Sequence, residues 1–237
     1  MQNIKEWLEH FCRILQNNFG ERLLFIGLQG SYGRGEAGPD SDIDVVVIFD
    51  LLDAQILEKY RLVTADLPQR DKLCGFVGGY EELCGWLRSD LFQLYYDTQL
   101  LYGSLEFLRP LIGSNEASAL LHSGSCNLYH ACCHNYLHER SADALAALYK
   151  SAVFLVQAKY YLSSGRYVKK HGELINLVSG EDKVILETAR DLKKQREIDE
   201  ENFAALSMRL LSWSRENILR YSVDTLAEMK LCTRRER

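Results

Sequence analysis

The sequence predicts an α+β chain: a small mixed-sheet domain over residues 1–112, followed by an all-α helical bundle over 113–237. Three observations carry this reading. Apolar, β-branched runs of strand length stand at Arg22–Leu28, Ile43–Phe49 and Lys72–Val77, with helix-patterned segments around them. All three prolines, Pro39, Pro68 and Pro110, fall before residue 111. Beyond them apolar residues recur every three or four positions, the pattern of helices that each bury one stripe.

The elements follow in order. Ile4, Trp7, Leu8, Phe11 and Leu15 share one face of a helix over residues 3–18, which Asn17-Asn18-Phe19-Gly20 ends. The first strand runs through Leu28, and the second covers Ile43–Phe49. A helix over Leu51–Leu62 stops short of Pro68, and Lys72–Val77 is the third strand. From Glu81 to Tyr96 the spacing of Leu83, Trp86, Leu87, Leu91, Leu94 and Tyr95 favours a helix, with Leu91–Tyr96 also open to a short strand. Gln99–Gly103 closes the sheet, and the α/β part ends within residues 104–115. The bundle's expected helices are Ser125–His138, Ala142–Ser163, Gly172–Ser179, Glu181–Lys194 and Glu200–Met229, with Gly165 and Gly180 as stops. Thr233–Arg237 reads as a frayed charged tail.

Composition narrows the function. With 28 Lys and Arg against 33 Asp and Glu, the formal charge of −5 argues against the broad basic surface a long nucleic acid requires. A small or cationic acceptor fits better. Charges at Lys5 and Glu6 stand where a signal peptide would have its apolar core, and no apolar run approaches membrane-spanning length. The seven cysteines are odd in number and contain no Cys-x-x-Cys pair, so they are expected as reduced thiols in a cytoplasm.

The chemistry concentrates between the first two strands. Gly30-Ser31-Tyr32-Gly33-Arg34-Gly35 combines backbone freedom with a hydroxyl and a cation, and a short helix opening at Ser31 aims free amides at an anion. Asp42 and Asp44 lie two apart and so project together from the start of the second strand. Two adjacent carboxylates need a cation, and oxygen ligands beside substrate phosphates are what Mg²⁺ prefers. A glycine-rich surface loop alone would not call for that acid pair.

Gly30-Ser31 followed by Asp42-x-Asp44 in an apolar setting resembles the signature of the DNA polymerase β-like nucleotidyltransferase superfamily. The Gly-Ser-x-x-Arg-Gly form is similar to its small prokaryotic and aminoglycoside-modifying branches, and the resemblance covers about the first 110 residues. It implies a Mg²⁺-dependent transfer of a nucleoside monophosphate, AMP first among them, from an NTP (ATP) to a hydroxyl of a small-molecule or protein acceptor. On that resemblance Gly30 and Ser31 hold phosphates, Arg34 offers charge to the triphosphate or the pyrophosphate leaving group, and Asp42 and Asp44 bind metal. A third acid is expected on the third strand, where Cys74 and Gly75 stand instead. Asp97, just before the closing strand, is the candidate for that acid, and Asp90 the next. The alternative is a catalytically impaired nucleotide-binding or antitoxin-like partner module.

In the second half, Ser163–Leu174 resembles the HEPN helical domains that accompany such nucleotidyltransferases, whose nuclease members use an Arg and a His. Arg166 and His171 have that spacing, but Tyr167 stands where those enzymes carry a small polar residue, so an RNase is the lesser alternative. Lys169 and Lys170 are instead assigned to the nucleotide, within the chain or across a homodimer. His130, His134 and His138, with Cys133 beside them, have ligand spacing on one helix but no evident fourth ligand, and a polar helix face is the plainer reading.

Overall fold

The fold is described from a computed structural model, which covers residues 4–193 and 198–222. The chain divides into two compact units, residues 1–112 and 113–237.

In the first unit α1 (Ile4–Phe19) leads into β1 (Leu23–Leu28), the short α2 (Gly30–Arg34) and β2 (Ile43–Phe49). Then come α3 (Ala54–Val63), β3 (Leu73–Gly79), α4 (Tyr80–Cys84), α5 (Arg88–Asp97) and β4 (Gln99–Gly103). The sheet is mixed, in the order β3-β2-β1-β4, with β1 antiparallel to both neighbours and β2 parallel to β3.

Trp7, Phe11, Leu15 and Phe19 repeat at four-residue spacing, so α1 turns one apolar stripe onto the sheet. They meet Leu23, Ile26 and Leu28 of β1, Ile43, Val45, Val47 and Phe49 of β2, and Ile56 of α3. The Trp7 and Phe11 rings stack at 5.2 Å, and the Trp7 indole N–H donates to the Pro68 carbonyl at 2.6 Å. Phe11 is fully buried, so Phe11→Ala should lower unfolding free energy by about 3–5 kcal/mol. Urea denaturation of the two proteins checks it.

The second unit contains α6 (Ser114–His134), α7 (Ala142–Ser164), α8 (His171–Leu174), α9 (Gly180–Leu192) and α10 (Glu200–Tyr221). α6 packs on α7 and α10, and α7 also on α9. Ser141 and Asp199 cap α7 and α10 by accepting from the amides of Ala144 and Asn202. Gly165, at φ 71°, ends α7.

Three expected elements differ. The helix over Glu81–Tyr96 is two helices, α4 and α5, because Leu87 is extended and 71% exposed, an apolar residue that joins the periodicity without joining the core. Leu91–Tyr96 is helical, with Leu91 and Leu94 buried. α6 begins at Ser114 rather than Ser125, since Ser123-Gly124-Ser125 is no break. A Cβ on Gly124 would run against the Leu155 side chain, so the glycine admits a close crossing with α7. The helix expected over Gly172–Ser179 is only the single turn of α8. Residue 3, Lys194, the expected last helix beyond residue 222 and the 233–237 tail lie outside the described residues. No described helix is long and apolar enough to cross a membrane.

Candidate active site

Side-chain alternation decides which residues face the site. Ile43, Val45 and Val47 point into the α1 core, so Asp44 is on the opposite face of β2. Leu73 and Val77 likewise pack on that core, placing Cys74 and Phe76 with Asp44. The parallel register pairs Asp44 with Cys74 and Val46 with Phe76. Asp42 stands one residue before the strand and is exposed, while Asp44 is half-buried.

The glycine loop is drawn against this acid. The Gln29 amide donates to the Asp44 carbonyl at 2.8 Å, and the Gly33 amide donates to the Gln29 carbonyl at 3.0 Å. Gly30 takes φ 62°, a conformation open to glycine, and a Cβ there would run into the Asp44 carboxylate. Two residues distant in sequence are thus in direct approach, backbone to carboxylate. α2 has only five residues, so it is a single turn; what it offers an anion is the few first-turn amides that have no partner within a helix. Ser31 sits in that turn, half-buried.

The structure brings Arg34 and Asp97 together. Arg34 is 7% exposed, with Nη1 3.5 Å from Asp97 Oδ2 and Nε 3.4 Å from Glu36 Oε2. Asp97 ends α5 and is 5% exposed. The cation expected on the triphosphate and the carboxylate expected as the third acid are thus neighbours, and a buried charge is tolerable only when paired. Asp90 lies in the first turn of α5 and is exposed. On β3 the neighbour of Asp44 is a thiol, and Cys74 is exposed.

Sequence reasoning missed Gln29 and Thr98. The Gln29 side chain donates to the Thr98 hydroxyl at 2.8 Å, and that hydroxyl donates to the Leu94 carbonyl. Their adjacency to Gly30 and Asp97 was the available signal, but the pairing spans 69 residues.

Lys169 and Lys170 belong to the second unit, just before α8. Gln157, fully buried, donates to the carbonyls of Val168 and Lys169 and so fixes that segment's backbone. Arg166 pairs with Glu173 at 2.5 Å. On α6 and the turn after it the His134 and His138 rings meet edge to face at 5.1 Å, but no group of three or more metal-ligating side chains occurs among the described residues.

The N-terminal unit has counterparts among known proteins. Residues 8–73 match the family model of the nucleotidyltransferase domain, so the N-terminal unit carries a nucleotidyltransferase domain. It shares its fold with spectinomycin adenyltransferase AAD(9) from Enterococcus faecialis, solved with ATP and spectinomycin, at a TM-score of 0.51 and 17% identity over 88% of this chain and 99% of that one. A toxin-antitoxin structure with AMP-PNP aligns over 44% of this chain and 79% of that one at 21% identity, with a TM-score of 0.33. No curated protein matches.

Proposed function

We propose that the chain moves AMP from ATP to a hydroxyl of a small-molecule or protein acceptor, with Mg²⁺ as the metal. The observation that carries the reading is the Gly30 backbone lying against the Asp44 carboxylate, which sets the glycine turn beside the carboxylate that would hold the metal. Two carboxylates suit Mg²⁺ because it takes one or two from a protein and completes its shell with phosphate oxygens and water. Held there, Mg²⁺ would supply charge stabilisation to the phosphate oxygens during displacement. Gly30 and Ser31 hold the β and γ phosphates, and Asp42 and Asp44 hold the metal. ATP is chosen because the fold is that of an adenyltransferase solved with it.

A second reading is favoured by one observation: Cys74, not a carboxylate, is the in-register neighbour of Asp44. On that reading the domain binds Mg²⁺·ATP and turns it over poorly or not at all.

Calorimetric titration with ATP, with and without Mg²⁺, decides the first point, and transfer of α-labelled AMP to a panel of hydroxyl acceptors decides between the readings. Metal-dependent binding with transfer supports the enzyme; binding without transfer supports the binding module; the absence of binding removes both. Cys74 provides an independent footprint. Among the described residues Cys74 and Cys84 are the exposed cysteines and should react readily with a thiol reagent, whereas burial pushes Cys12 and Cys132 up to about 11 and makes them slow. Mg²⁺·ATP should slow the labelling of Cys74 and leave that of Cys84 unchanged. Equal rates at Cys74 with and without nucleotide would place the ligand elsewhere.

A further inference from the structure

We infer that Asp97 and Thr98, the joint between α5 and β4, form a clamp that positions the phosphate turn against Asp44; this rests on the reading that the turn binds nucleotide. Both ends of the turn reach this joint. At its start the Gln29 side chain donates to the Thr98 hydroxyl at 2.8 Å; at its end Arg34 Nη1 stands 3.5 Å from Asp97 Oδ2. Both anchors are buried, at 5% exposure for Asp97 and 7% for Thr98.

The turn needs such tethers. Five residues are too few for a helix to hold itself, and Gly30, Gly33 and Gly35 remove the backbone preference a longer side chain would bring. Ordering them has an entropic cost that falls on ligand binding unless the folded protein meets it beforehand. Thr98 is itself immobilised. Its hydroxyl donates to the Leu94 carbonyl, so a lone pair is turned to Gln29, and its methyl lies over Gly27, where a Cβ would run into it. Between the two anchored ends lies Gly30, against the Asp44 carboxylate. Asp97 and Thr98 are thus positioning residues, acting through Arg34 and Gln29, and the acid expected to serve as a base serves instead to hold the loop.

Two variants test the clamp in the full chain. Thr98→Val keeps the side-chain shape and removes the acceptor; Asp97→Asn removes the charge. The first readout is amide hydrogen exchange of the nucleotide-free protein, which needs no ligand. Exchange across residues 29–36 should rise by about tenfold or more, the ratio corresponding to one lost hydrogen bond in a buried site, while residues 43–49 stay protected. The second is the Kd for Mg²⁺·ATP, which should weaken by a similar ratio. Failure of the wild type to bind Mg²⁺·ATP would remove the proposed function, whereas exchange in the free protein still reports on the tether. Wild-type exchange across residues 29–36 in Thr98→Val overturns the clamp, and so does faster exchange with an unchanged Kd. If Asp97→Asn fails to fold, Thr98→Val decides alone.

Discussion

Asp44→Asn is expected to remove the Mg²⁺-dependent part of ATP binding and to lower AMP transfer by about 10²–10⁴-fold, the range that several kcal/mol of lost charge stabilisation represents. Asparagine matches aspartate in volume, so the half-buried site beside Gly30 keeps its shape. What changes is the charge: an amide offers one neutral oxygen where two anionic ones stood. Without ligand, the fold should be retained, because the side-chain volume is unchanged. Calorimetry against ATP with and without Mg²⁺, together with a thermal melt, separates these effects. Asp44→Asn that binds Mg²⁺·ATP as the wild type does would assign the metal elsewhere.

Gly30→Ala should reduce Mg²⁺·ATP binding as severely as Asp44→Asn, by a different route. At φ 62° an L side chain is strained by roughly 1–2 kcal/mol, and the added methyl group also occupies the space of the Asp44 carboxylate. Either the turn moves off the strand or the carboxylate turns away, and both separate the amides from the metal ligand. The fold itself should survive, with the melting temperature lower by about 5 °C, because the strain is local to a short turn from which only Tyr32 packs on the α1 core. Gly35→Ala is the control: Gly35 has φ 71° but open space around it, so it carries the strain without the collision. Equal loss of binding in both variants would mean that backbone strain, and not contact with Asp44, sets the effect.

The sequence by itself determined the framework. The period of the apolar residues placed α1, β2 and the closing strand to within a residue or two, and the spacing of Asp42 and Asp44 put both at the start of one strand. Those are local properties: helix and strand periods of 3.6 and 2 are written into neighbouring positions. Local pattern misread the turn at Leu87, since an exposed leucine and a buried one look alike in sequence. It also gave no hint that Arg34 and Asp97 meet, because an isolated charge gives no sign of its partner. Only the tertiary structure paired them across 63 residues, joined Gln29 to Thr98, and set Cys74 in register with Asp44. Pairings of that separation depend on strand order and on which face each side chain takes, and both are settled when the α1 core closes on one side of the sheet and leaves Asp44 on the other.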